Sequence, residues 1–123
     1  MQHQKPLQGI DTVIVRVSEI EAARKWYQEK LELTPVWHDP KKKLVVLDTG
    51  SPTSLTLWQT NQKIQCHHAT ASYPIFRTAD AQVARQALLD NGVNAGEVID
   101  DGAVKYFLFY DPDGNLFEAC QVS

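Results

Sequence analysis

The chain has 123 residues, 43% of them hydrophobic and 22% charged, with a formal net charge of −3 at pH 7. This is the make-up of one globular domain. An acidic balance with no basic run excludes a nucleic-acid footprint, and no apolar stretch approaches the roughly 18 residues that cross a bilayer.

Residues 10–17, IDTVIVRV, are β-branched and apolar enough for a buried strand. Ser18 with Glu21 three places on reads as a capping box, in which the serine side chain accepts from a free backbone N–H and the glutamate reaches back. The helix it opens runs to about Lys30, with Ile20, Ala23, Trp26, Tyr27 and Leu31 at helical spacing. Three short strands follow at 33–37, 44–47 and 54–59, separated by the turn-rich DPKKK and DTGSPTS. A second series comes in the same order. It has a strand at 73–78, a helix at 80–91 with Val83, Ala84, Ala87 and Leu88 on one face, and strands at 97–99, 104–110 and 116–121. Gly92 stands where a left-handed helix C-cap belongs. Asp111-Pro112-Asp113-Gly114-Asn115 is a strong turn, since proline fixes φ and glycine accepts a positive one.

The second series repeats the first. Shifted by 61 positions, Arg16 falls on Arg77, Glu19 on Asp80, Ala23 on Ala84, Arg24 on Arg85 and Glu29 on Asp90; shifted by 62, Thr56 falls on Glu118 and Gln59 on Gln121. A self-match at this period indicates two similar modules filling one α+β domain. Each is a βαβββ unit, at about 9–60 and 72–121, with the polar segment 60–71 as linker. Chemistry is expected in the cleft that paired modules build between equivalent strands.

Parity assigns the faces. Val13, Val15 and Val17 form an apolar row that seats the helix, so Thr12, Ile14 and Arg16 point the other way. The matching row in the second module is Tyr73, Ile75 and Arg77. An arginine recurring at one point of both modules reads either as a shared polar cavity or as two charges snorkelling at strand ends. Trp58 shares the face of Thr56, and Trp37, Tyr106 and Tyr110 add aromatic wall, the usual lining of a small-molecule pocket. Glu118 lies in the apolar strand LFEACQV, where burial raises a carboxyl pKa and suits a general base. A carboxylate satisfied by Arg16 or Arg77 is the other reading. Cys66-His67-His68 holds three ligand-type side chains, but consecutive residues of an extended segment point to opposite sides and do not converge on one ion. His38, after Trp37, reads either as a surface residue at a strand end or as a side chain leaning into the cup from the second strand. Cys120 shares the Glu118 face.

The two-fold βαβββ order, VIVRVSEIEAARKWYQEKLEL, FRTADAQVARQALLDNGV and above all the closing FLFYDPDGNLFEACQ resemble the vicinal oxygen chelate superfamily, the glyoxalase, bleomycin resistance protein and extradiol dioxygenase family. The resemblance covers almost the entire chain. It implies a curved eight-stranded mixed sheet folded round a cup, with helices on the convex face. In metal-dependent members four ligands sit on the first and last strands of each module, positions held here by Thr12, Thr56, Tyr73 and Glu118. Only Glu118 has the ligand chemistry the family uses, so the resemblance implies a degenerate metal site and no transition-metal cofactor.

Two function classes follow. The first is a metal-free binding protein that holds an aromatic or amphipathic molecule, one with an anionic or carbonyl group, through Thr12, Arg16, Thr56, Trp58, Tyr73 and Arg77. The second is a glyoxalase- or dioxygenase-like metalloenzyme with a non-standard divalent metal site and Glu118 as catalytic group. A homodimer is expected, since superfamily members commonly shield sheet edges by pairing. The stretch MQHQKPLQG has no signal-peptide apolar segment, and two cysteines without metal-ribbon spacing suit a reduced, cytoplasmic protein.

Overall fold

The computed structural model describes residues 5–122, so the first residues of the N-terminal stretch read for a leader lie outside it. The first module runs β1 (Thr12–Val17), α1 (Ile20–Lys30), β2 (Thr34–Asp39), β3 (Leu44–Asp48) and β4 (Ser54–Gln59). The second runs β5 (Ile75–Arg77), α2 (Ala81–Asp90), β6 (Asn94–Ala95), β7 (Ile99–Asp100), β8 (Val104–Tyr110) and β9 (Leu116–Val122). The class is α+β with two βαβββ modules, as the repeat requires.

The eight strands expected in one sheet form two ladders. The first module's sheet has the order β1-β4-β3-β2; the second has β5-β9-β8-β6, with β7 also on β8. In each, the first strand pairs parallel with the last, and the other pairs are antiparallel. The repeat is preserved at the level of register. Ile14 sits beside Thr56 and Arg16 beside Trp58 in the first module; Ile75 sits beside Glu118 and Arg77 beside Cys120 in the second. The strand expected at 97–99 is two short pieces, because Gly96 donates to the Leu108 carbonyl at 2.8 Å while Arg85 binds the Gly96 carbonyl at 2.6 Å.

The start of α1 is built differently from the expected capping box. Glu19, not Ser18, is the N-cap of α1, and it makes no side-chain cap bond. The free Ile20 N–H donates to the Gln59 side chain at the end of β4, 2.9 Å away. Glu21 pairs with Arg24 and His38 rather than reaching back. In the second module Ala81 donates to the Gln121 side chain at 2.8 Å, and Asp80 accepts from Val83. The Gln59–Gln121 match therefore records one device used twice: the last strand caps the helix that crosses behind it. Val83 points to solvent, contrary to its expected face, while Ala81, Ala84 and Leu88 pack inward. α2 ends as expected, with Gly92 at φ +83° and bonds from Gly92 to Leu89 and Val93 to Leu88 that form a Schellman motif. α1 ends at the equivalent left-handed position on Glu32, at φ +58°.

One core serves both modules. Val15, Val17, Ile20, Ala23, Val45, Leu47, Leu55 and Leu57 join Phe107, Phe109, Phe117 and Ala119 in a single buried cluster. Tyr27 of α1 meets Phe117 of β9 edge-on, with ring centroids 6.0 Å apart. Its hydroxyl donates to Asp111 at 2.5 Å. The Asp111 carboxylate also accepts from the Asp113 and Asn115 backbone and from the Asn115 side chain. Asn115 donates to the Arg16 carbonyl, and Asp113 accepts from the Ser18 backbone. The DPDGN turn thus staples the second module to the β1–α1 junction of the first. Burial pushes the Tyr27 hydroxyl pKa up, reinforced by Asp111, and burial pushes the Asp111 carboxyl up against the lowering effect of its donors.

Candidate functional site

With Val15, Val17, Leu55, Leu57, Phe107, Phe117 and Ala119 turned toward the helices, strand parity places the intervening residues on the opposite, open face of each sheet. On the first module that face carries Thr12, Ile14 and Arg16 from β1 and Thr56 and Trp58 from β4, with Val46 and Trp37 beyond. On the second it carries Ile75 and Arg77 from β5, Glu118 and Cys120 from β9, and Leu108 and Tyr106 from β8. It is apolar and unusually bare: Ile14 is 52% exposed, Ile75 57% and Trp37 63%.

Thr12 and Thr56 share a 2.7 Å hydrogen bond between their hydroxyls, so each satisfies the other in the half-buried strand pair. Arg16 is engaged locally. Its Nε donates to the Trp58 carbonyl and its Nη2 to the Gln59 carbonyl, each at 3.1 Å, and its guanidinium lies 4.5 Å from the Trp58 ring centroid. Trp58 is fixed in turn by its indole N–H, which donates to the Lys42 carbonyl at 3.1 Å. The result is a rigid aromatic–guanidinium plate at the end of β4.

The second module repeats the backbone but not the plate. Cys120 stands where the first module has Trp58, and among the described residues the Arg77 side chain forms no hydrogen bond or ion pair. Tyr73 lies two residues before β5, outside the ladder, and is partly exposed.

Glu118 is 8% exposed, flanked across the ladder by Ile75 and Leu108. Neither arginine reaches it: among the described residues Arg24 pairs with Glu21, and the His38 ring lies 3.6 Å from the same carboxylate. Burial raises the Glu118 carboxyl pKa, and the negative charge of Asp101 adds to the rise. Asp101 sits in the turn after β7 and accepts from the Ala103 and Val104 backbone at 2.9 Å each. Those bonds hold its own pKa down and keep it charged. Nothing in the sequence pattern marked Asp101, because its relation to Glu118 arises from the fold of the β7–β8 turn.

The remaining candidates disperse. His38 leans on Glu21 of α1 at 3.6 Å rather than into the open face. His68 stacks on Tyr110, centroids 5.0 Å apart, and its Nε2 lies 3.0 Å from the Gly114 carbonyl. Cys66 and Cys120 are free thiols. Among the described residues no three His, Cys, Asp or Glu side chains gather as metal ligands. Two hydroxyls bonded to each other and one carboxylate are a poor donor set for a divalent transition metal. A cleft of about 390 Å³ lies between β1, the linker around Cys66 and the start of β9, and another of about 760 Å³ follows the seam between β1 and β5, with Ile75 and Arg77 in its wall. Glu118 lines neither.

The sequence profile of the Glyoxalase/Bleomycin resistance protein/Dioxygenase superfamily matches residues 9–119, and the chain belongs to that superfamily. Solved structures share its fold. A superfamily member from Sphaerobacter thermophilus DSM 20745 superposes with a TM-score of 0.77 at 22% identity, covering 94% of this chain and 98% of its own. An antibiotic binding protein from Streptomyces sp. CB03234 gives 0.77 at 22% identity, with 98% and 100% covered. A genomically encoded fosfomycin resistance protein from Listeria monocytogenes gives 0.78 at 13% identity, with 95% of each chain covered. No curated protein sequence matches this one. No helix among the described residues is long and apolar enough to cross a membrane.

Proposed function

We propose that this protein binds a small aromatic or amphipathic organic molecule on the open face of its sheets, without a transition metal, as a sequestration or resistance protein does. The observation that carries this reading is the pairing, on the open faces of the two sheets, of bare apolar walls with few polar groups: the Thr12–Thr56 hydroxyl pair and the Arg16–Trp58 plate on the first, Arg77 and Glu118 on the second, with the partly exposed Tyr73 just before β5. Such a surface favours a flat apolar body with one or two polar substituents. The binding and resistance functions of the Streptomyces and Listeria proteins of like fold are in keeping with it. Two copies of the chain would shield this face, since single Ile, Trp and Tyr side chains in water on a sheet invite pairing. Free cysteines suit a cytoplasmic setting.

Isothermal titration of the protein against a panel of planar amphiphiles tests the reading. Saturable binding that weakens about 10-fold or more in Trp58→Ala supports it; binding indifferent to Trp58, Glu118 and Arg77 refutes it. Light scattering tests the pairing, with a mass near twice 13.9 kDa expected and 13.9 kDa at micromolar concentration against it. The second reading is a glyoxalase- or dioxygenase-like metalloenzyme with a non-standard site. It rests on Glu118, the residue that the resemblance sets at the superfamily's last ligand position.

A further inference from the structure

The two arginines that the repeat aligns are in opposite states. Arg16 is registered with Trp58 across β1 and β4, and Arg77 with Cys120 across β5 and β9. The Trp58 ring and two strand-end carbonyls hold the Arg16 guanidinium. Cys120 offers Arg77 no ring to lie on, and among the described residues the Arg77 side chain has neither a hydrogen bond nor an ion pair. The two clefts along the seam differ in the same sense. The first sets the exit of β1 beside the entries to β5 and β9; linker residues 62–66 form part of its wall, and it measures about 390 Å³. The second sets the exit of β5 beside the start of β1 and the β3–β4 turn; no linker residue lines it, and it measures about 760 Å³. That volume is of the size that small-molecule sites have. Arg77 is the only charged side chain among the described residues that line it, and Ile10, Ile75 and Phe76 supply apolar wall. The hydroxyls there are already committed. Thr49 and Ser51 bond each other and the Thr53 carbonyl, Thr53 and Ser54 donate to the Ile10 and Asp11 carbonyls, and Thr78 donates to Asp80. The unspent side-chain donors of this wall are those of the guanidinium.

We infer that the bound molecule is an aromatic carboxylate seated in the second cleft, with its carboxylate on Arg77 and its ring against the exposed Ile10 and Ile75. This rests on the binding reading above and specifies the charge and the place of the ligand's polar group. A guanidinium presents a planar fork of N–H donors that matches both oxygens of a carboxylate and no neutral substituent equally well. A wall without an acid leaves nothing in the cleft to repel the anion or to claim the cation first. Arg16 cannot serve in the same way, because its Nε and Nη2 are held on the Trp58 and Gln59 carbonyls. The repeat therefore supplies one arginine to brace an aromatic ring and one to receive an anion.

The test uses three probes with one aromatic body: 2-naphthoate, 2-naphthylmethanol and 2-naphthylmethylammonium, titrated calorimetrically into the untagged full chain. Naphthoate is expected to bind at least about 5-fold tighter than the other two. Arg77→Gln, at an exposed side chain, should abolish that preference and leave the alcohol within about 2-fold. Ser51→Asp, in the exposed turn across the cleft, sets a carboxylate in the wall and should cut the preference by about 2-fold or more. Arg16→Gln should weaken all three probes alike and keep the preference, since it loosens the Trp58 plate and leaves Arg77 in place. Equal affinity for the three probes, or preference for the alcohol or the ammonium, overturns the inference alone. So does a naphthoate preference that survives in Arg77→Gln, is unchanged in Ser51→Asp, or is lost in Arg16→Gln. Binding by none of the three overturns the binding reading as well.

Discussion

Tyr27→Phe removes a single oxygen, and the structure states what that oxygen does. It is fully buried on α1 and donates to Asp111, which also takes three donors from its own turn. Hydrogen bonds to charged groups contribute about 1.5–3 kcal/mol. The phenylalanine leaves the carboxylate with three partners, so a loss of about 2 kcal/mol is expected. Asp111→Ala is harsher. It leaves the buried Tyr27 hydroxyl without an acceptor and frees the Asp113 and Asn115 N–H groups, for about 3–5 kcal/mol. In the double variant the Tyr27 loss has largely been incurred already, so the two effects should fall short of additivity by about 1–2 kcal/mol. Urea titrations followed by circular dichroism at constant m-value measure all three. Tyr27→Phe within about 0.5 kcal/mol of the parent, or strict additivity, would refute the claim that this network staples the modules.

Gln59→Ala and Gln121→Ala should each cost about 1 kcal/mol and add independently, since each caps a different helix, whereas Ser18→Ala should be nearly neutral; chemical denaturation of the single and double variants checks this. Glu32→Gly should stabilise by about 1 kcal/mol, read as a higher melting temperature, because a glutamate at φ +58° carries strain that glycine relieves. Glu118→Gln tests linkage. The raised Glu118 pKa means the folded state holds its proton more tightly than the unfolded chain. That contribution is fully present below the ordinary value of 4.5 and is lost as pH rises through the folded pKa. The variant should lack this decline, and parallel stability–pH curves for both proteins would contradict it.

Much of the fold was legible because its signals are local. Residues 54–59 and 104–110 fall on β4 and β8 to the residue, where apolar runs end at strong turns. The αL position of Gly92 announced itself by residue type, while Glu32 did not, since the same backbone state there is imposed on an ordinary residue. The helix caps were invisible to local pattern because their acceptors lie about 40 positions away, at the end of the last strand of each module. The DPDGN turn was recognised as a turn, but its tie to Tyr27 depends on packing between modules. At the site, parity and the repeat placed Thr12, Thr56, Trp58, Arg77 and Glu118 on one kind of face. Parity could not foresee that Arg16 turns its donors onto strand-end carbonyls, or that Asp101 folds back toward Glu118.

Untagged protein assayed for bound metal, and titrated with a planar aromatic amphiphile before and after chelator treatment, tests the central claim most directly. The expected result is substoichiometric metal and the same affinity with and without chelator, weakened in both Trp58→Ala and Glu118→Gln. One metal ion per chain with Glu118 among its ligands, and binding or turnover lost on chelation, would contradict it.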